Sequence, residues 1–247
     1  MKEGEMIMTS ALDVWCCYLN YYEELRSPTS PRRLFCYTET TVGTLNGFTD
    51  ESIQKKFTTF AENMDHIFAT YKTKIHDYDL VIFHVFFPVH HVNHYYVVCY
   101  NLKNSSIDIL DNRASERPIK NLYGQPLIVL YLQTQNHYKF GDISKLVPQR
   151  LKMRWQTKEN GIDCGVFAMR HMETYFGGGS RNWDAKFAPE SYTQKVQIRR
   201  LRILYTYNMI SSRNNCCFGM IMDEMKDPSL VPDEDVLRAS MQKQKKI

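Results

Sequence analysis

Residues 78–112 read YDLVIFHVFFPVHHVNHYYVVCYNLKNSSIDILDN. Tyr78 to Val89 is rich in β-branched and aromatic residues, the composition of a buried strand. Tyr95 to Tyr100 repeats that character, Lys103-Asn104-Ser105-Ser106 is a polar turn, and Ile107 to Leu110 reads as a third strand. The stretch therefore predicts a β-hairpin that opens just after His94 and closes just before Asp111. Two strands joined by a tight turn place the start of one beside the end of the other, so these two residues are expected to be neighbours in space.

Outward from this sheet the pattern is helical on both sides. Residues 9–25 begin at Thr9-Ser10 and carry Leu12, Trp15, Leu19 and Tyr22 at helical spacing. Residues 51–71 align Ile53, Phe57, Phe60, Met64 and Ile67. Between them Arg26 to Pro31, with two prolines among small polar residues, reads as a loop. Leu127 to Leu132 suits strand or helix equally. Residues 162–176 start at Asp163, a good N-cap, and continue with the apolar stripe Val166, Phe167, Met169, Met172 and Phe176. A further amphipathic helix is predicted over 190–212. Helices before and after a central, mainly antiparallel sheet mean α+β, not alternating βαβ. One domain is expected over residues 1–215, with 216–247 as a C-terminal extension ending in a polar, mobile tail.

Composition narrows the function. The 247 residues carry 31 Lys and Arg against 27 Asp and Glu, a net charge of +4. The basic residues gather only in small groups: Arg32-Arg33, Arg199-Arg200 with Arg202, and Lys243, Lys245 and Lys246. No phosphate-binding face follows, and nucleic acid is not an expected partner. No apolar run is long enough for a membrane span, and residues 1–8 lack the apolar stretch of a secretory signal. Seven cysteines, an odd number and without a CxxC, point to free thiols in a reducing compartment and give no zinc knuckle. His90, His91 and His94 form HHxxH, but in a strand-and-loop setting with no Asp or Cys cluster. No metal and no cofactor are expected.

The chemistry is carried by Asn160-Gly161-Ile162-Asp163-Cys164-Gly165-Val166-Phe167. A cysteine in the first turn of a helix meets unpaired backbone N–H groups and the positive end of the macrodipole, which favour a thiolate. The same groups can serve a developing oxyanion. Gly165 removes a side chain beside the sulfur, so a substrate backbone could come close. A structural thiol behind an N-cap aspartate would explain an isolated D-C-G equally well. A nucleophilic thiol needs a base, and the base needs an acceptor to orient it. His94 and Asp111, 17 residues apart, supply both. Asp108 competes with Asp111, but alternation along the strand turns the two to opposite faces. Cys16, Cys17, Cys36 and Cys99 lack such a setting, and His171 reads as a surface or packing histidine.

These elements resemble the ubiquitin-like-protein-specific proteases, the SUMO-protease type of cysteine peptidase. The resemblance rests on His94-Tyr95, Asp111, Gln156 and Asn160 to Gly165 in the order His, Asp, Gln, Cys, and spans about Thr9 to Asn214. Singly the His and Asp motifs are common; the ordered set with N-G-x-D-C-G is specific. TSALDVWCCYLN, SPRRLF and WQTKENGIDCGVFAMRHMETY look most like the plant branch of the family, much of it transposon-associated.

The resemblance implies a papain-like fold; residence in the nucleus or cytoplasm fits the reduced thiols, and a monomer is expected. It implies cleavage after the Gly-Gly tail of a ubiquitin-like modifier such as SUMO. Cys164 would be nucleophile, His94 base, Asp111 its orienting acceptor and Gln156 the oxyanion donor. Tyr95, Trp155, Gly165, Arg32, Arg33 and Arg113 are the candidates for contact with the modifier and its tail. The chain departs from the family in two places. Gln156 lies eight residues before Cys164, whereas the family's glutamine stands closer, where this chain has Lys158. Tyr95 replaces the tryptophan that follows the family's histidine, and the N-terminal tryptophan of the tail clamp has no counterpart. A transposon-derived domain that binds a ubiquitin-like protein without cleaving it is the alternative.

Overall fold

The computed structural model describes Met1 and residues 4–27, 32–41, 53–71, 83–114, 127–135, 137 and 140–224. The expected loop residues 28–31, the first part of the 78–89 strand and the C-terminal tail lie outside them. The chain forms two compact units, Met1–Tyr205 and Thr206–Ile247.

The first unit is built on a five-stranded sheet in the order β1-β2-β3-β4-β5. Its strands are β1 (Arg32–Phe35), β2 (Phe83–His90), β3 (Tyr95–Asn101), β4 (Ser106–Leu110) and β5 (Gln149–Arg150). The centre, β2 to β4, is antiparallel, while β1 and β5 join its edges in parallel. The expected antiparallel core is present, and two short parallel edges make the sheet mixed. β1 is four residues long and half arginine, and β5 is two residues long. Neither is long enough to show an alternation.

β3 is buried at every position, because both faces of this central strand are covered. Tyr96, Val98 and Tyr100 join a core with Val85 and Phe87 of β2 and Ile107 and Ile109 of β4. That core is roofed by α2 (Ile53–Thr70) through Phe60, Met64, Ile67 and Phe68, and by α3 (Leu127–Thr134) through Ile128, Tyr131 and Leu132. The 127–132 segment is thus a helix. Burial of positions 128, 131 and 132 follows helical spacing, and Tyr131 Oη donates to Asp65 at 2.6 Å. The other face carries α5 (Cys164–Thr174), reached after the single-turn α4 (Phe140–Ile143). Rings of His84 and Phe86 on this face meet Tyr175 at the end of α5. α5 is buried almost all round, from Cys164 to Met172, so its expected single stripe widens to nearly the full circumference. Phe176 lies beyond its end and is exposed.

α1 (Thr9–Glu24) packs beside α5, with Trp15 Nε1 donating to the Met169 carbonyl at 3.1 Å. α6 (Tyr192–Ser211) follows α5, and the second unit takes its last residues together with α7 (Phe218–Glu224). In that unit the Asn215 amide donates to the Met209 and Ile210 carbonyls, ending α6. No helix among the described residues is long and apolar enough to cross a membrane.

The β2–β3 connection sets the position of His94. His91 and His94 exchange both backbone hydrogen bonds, 2.9 and 3.0 Å, leaving a two-residue loop of Val92 and Asn93. Both have positive φ, 47° and 54°, the signature of a type I′ turn. A β-branched residue is disfavoured there by about 1–2 kcal/mol. Val92 is 75% exposed and has little packing to lose. Val92→Asn is therefore expected to raise stability by about 1 kcal/mol, read as an upward shift of the thermal midpoint; a lower midpoint would contradict it.

Candidate active site

The hairpin and the start of α5 bring the central residues together. His94 stands directly before β3 and Asp111 directly after β4, where the register has just paired Val97 with Leu110. His94 Nε2 and Asp111 Oδ1 are 2.7 Å apart, and both side chains are buried. The same Oδ1 also accepts the Arg113 N–H at 2.8 Å, which fixes the carboxylate from a second direction. Burial alone would lower the His94 pKa. Hydrogen bonding and attraction from Asp111 and Cys164 outweigh it, so the net shift is upward. With Nε2 committed to Asp111, Nδ1 is left to the Cys164 thiol without a nitrogen or oxygen partner. Such pairs are often loose before substrate arrives.

Asp108 points elsewhere. Its Oδ2 accepts from Tyr175 Oη at 2.8 Å and from Ser106 Oγ at 3.2 Å, on the α5 face of the sheet. The alternation argument thus separates the two aspartates as expected.

Cys164 is the first residue of α5 and is fully buried. Asp163 occupies the N-cap position but makes no side-chain cap. Its carboxylate is held instead by the Arg202 guanidinium at 2.6 Å and by Asn160 Nδ2 at 2.9 Å. An ion pair has taken the oxygen a cap would use.

Gln156 turns toward the same cluster. Its Nε2 donates to the Asp111 carbonyl at 3.1 Å, and its Oε1 accepts the Met153 N–H at 3.3 Å. Lys158, at the family's usual glutamine position, is exposed. The longer spacing therefore brings Gln156, not Lys158, beside Asp111.

The other candidates divide. Arg113 is exposed and adjoins Asp111. Tyr95 is buried, its ring stacked on His90 at 4.5 Å. Burial, with Cys164 nearby, pushes its phenol up to about 12. Trp155 is also buried. Its Nε1 donates to His171 Nε2 at 3.1 Å, and its ring packs edge-on against Trp183. Of the surface and packing readings of His171 the fold selects packing: it is buried, and burial lowers its pKa to about 3. Gly165 is not open to a substrate, because a Cβ there would lie 2.9 Å from the Ile7 Cβ. The N-terminal segment already occupies that space.

Arg32 and Arg33 do not flank the site. They pair with Phe83 and His84, at the end of β2 remote from His90 and the hairpin turn. Arg33 is moreover buried. It pairs with Glu23 at 2.6 Å and donates to the Met172 and Glu173 carbonyls at the end of α5, at 3.0 and 2.9 Å. That guanidinium closes a helix C-terminus, where a cation is favoured, and is unavailable to a partner.

His90 ends β2, His91 opens the turn, and no group of three or more metal-ligating side chains occurs among the described residues. Two residues outside every motif, Glu190 and Arg202, hold the segment that leads into Cys164. Their separation along the chain left no local signal for them.

No curated protein matches the chain. Among solved structures, SUMO protease Ulp1 with its catalytic cysteine oxidised to a sulfonic acid is similar at 14% identity and a TM-score of 0.52, over 84% of this chain and 81% of that one. The same protease in a sulfenic acid form gives 14% identity and 0.51, over 83% and 77%. At this identity the likeness concerns the fold. The family model for the Ulp1 protease family, C-terminal catalytic domain, matches residues 14–202, a stretch that holds His94, Asp111, Gln156 and Cys164. A match over most of the chain decides membership: the chain belongs to the Ulp1 protease family and is a cysteine peptidase.

Proposed function

We propose that the chain hydrolyses the bond after the C-terminal Gly-Gly of a ubiquitin-like modifier, SUMO first among them. The observation that carries this is the buried 2.7 Å His94–Asp111 pair beside a cysteine at the start of α5. His94 takes the proton of Cys164, and the thiolate adds to the glycine carbonyl. Gln156 and the Cys164 N–H stabilise the oxyanion. Collapse breaks the C–N bond, His94 returns its proton to the departing amine, and a thioester remains. Water, deprotonated by His94, then hydrolyses the thioester and frees the thiol.

SUMO as substrate is supported by family membership and by the SUMO protease identity of the similar structures. Exposed Arg113, beside Asp111, is the remaining candidate for an acidic modifier surface. The catalytic domain is proposed to span residues 1–215 and to act as a monomer. All seven cysteines are free, which supports a reducing setting such as nucleus or cytoplasm.

SUMO and ubiquitin carrying C-terminal vinyl ester groups test the reading on the full-length protein. One adduct is expected, on Cys164. Cys16, Cys36 and Cys99 are buried, and burial pushes their thiols well above the ordinary range, away from reactive thiolate. Mass spectrometry locating the adduct on any other cysteine would overturn the assignment. Complex formation with no adduct would favour the binding-only alternative.

A further inference from the structure

The chain between Gln156 and Cys164 is neither helix nor regular strand, so its backbone donors need partners from elsewhere. The Thr157 N–H donates to the Asn112 carbonyl at 2.7 Å, next to Asp111. The following three, from Lys158, Glu159 and Asn160, all converge on the carboxylate of Glu190, at 2.8, 3.1 and 3.1 Å. The N–H groups of Ile162 and Asp163 turn to Asn160 Oδ1 at 3.2 and 3.1 Å. Asp163 is then fixed by Arg202, which also donates to the Glu5 carbonyl at 2.8 Å.

Glu190 thus sits as an anion in a concavity of successive backbone N–H groups, an arrangement that binds negative charge well. Charge-assisted bonds of this kind are about twice as strong as neutral ones. The Lys158 N–H chiefly holds the Glu190 carboxyl below its usual range, with a smaller opposing effect of burial and further lowering from Glu159 and Asn160. The loop so held carries both proposed oxyanion donors: Gln156 precedes the clamped N–H groups and Cys164 follows them.

We propose that Glu190 is a positioning residue of the catalytic loop, setting the path of residues 158–160 and thereby aiming the Gln156 amide and the Cys164 N–H at the reacting carbonyl. This rests on the peptidase reading of Cys164. A carboxylate that only anchors the start of α6 would leave the chemistry untouched, and turnover separates the two roles.

The test uses full-length Glu190→Ala and Glu190→Gln with aminomethylcoumarin amides at the C-termini of SUMO and ubiquitin. Site-resolved iodoacetamide labelling of Cys164 and amide hydrogen exchange accompany it. Alkylation needs the thiolate but forms no oxyanion. Glu190→Ala is expected to lower kcat about tenfold, a barrier rise of about 1.4 kcal/mol, with KM within about twofold. Its Cys164 alkylation rate should match wild type, and the amides of residues 158–160 should exchange faster. Glu190→Gln keeps Oε1, the acceptor for Glu159 and Asn160, and should recover part of the loss. Glu190 is exposed, so both variants are expected to fold. Unchanged kcat in Glu190→Ala, or kcat and alkylation falling together, would overturn the proposal. Wild type inactive on both amides would refute the peptidase reading instead. In that case the positioning role falls with it, and exchange at 158–160 reports only whether Glu190 holds the loop.

Discussion

Asp111→Asn is expected to lower turnover by about 10⁴-fold at pH 7, the size of the loss when the equivalent acceptor is removed from a serine triad. The carboxylate accepts from His94 Nε2 at 2.7 Å, which selects the tautomer and leaves Nδ1 for the thiol. An amide at this position can present its NH₂ group to Nε2 and invert that choice. Asp111 also raises the His94 pKa. Its loss therefore lowers that pKa, and the alkaline limb of the pH–rate profile, where the imidazolium gives up its proton, moves to lower pH. Asp108→Asn is the matched control. Its carboxylate is bonded to Tyr175 and Ser106 on the α5 face, so turnover should change by less than about tenfold, or 1.4 kcal/mol. Turnover and melting temperature measured on both variants decide the matter. Asp111→Asn that melts early but turns over normally would make Asp111 a structural residue.

Gln156→Ala is expected to cost about 10²–10³ in kcat, the usual loss of one oxyanion donor, or about 2.7–4 kcal/mol. The carboxamide is held at both ends, by the Met153 N–H and the Asp111 carbonyl. One Nε2 hydrogen is thereby used and the other remains for the oxyanion. Orientation fixed before substrate arrives is what makes such a donor effective. KM should stay nearly constant, because the bond forms only in the transition state. Steady-state kinetics on the same Gly-Gly amides measure this; a loss of less than about fivefold would leave the Cys164 backbone N–H as the working donor.

The His94–Asp111 neighbourhood was legible because a tight hairpin turns a separation of 17 residues into a contact. Strand alternation likewise sorted Asp111 from Asp108, since the pleat has a fixed period. Helices at 9–24, 53–70 and 164–174 followed from apolar spacing, and these and the helix at 192–211 end within a residue or two of the expected bounds. The segment at 127–134 could not be assigned from its apolar content, because a short apolar run satisfies both periods. Contact with α2 chose the helix.

The errors have a common origin. Arg33 read as a surface residue, like its exposed neighbour Arg32, because charge usually is solvated. Only the fold brings Glu23 and the open carbonyls of α5 to Arg33, and only the parallel pairing of β1 puts both arginines at the far end of the sheet. Gly165 read as space for a substrate, and the fold fills that space with Ile7. Trp155 stood among the candidates for contact with the modifier's tail, and the fold buries it against His171 and Trp183.

By itself the sequence determined the α+β class, the hairpin, the helix-borne cysteine and the order of His94, Asp111, Gln156 and Cys164. All of these depend on periodicity or on spacing along the chain. The tertiary structure alone decided which charges are buried and which long-range partners hold the catalytic loop. Glu190 lies 26 residues beyond Cys164 and Arg202 lies 38 beyond it, yet both reach the loop that precedes the cysteine. Contacts between distant segments are set by how the sheet and helices pack, and local residue patterns do not record that packing.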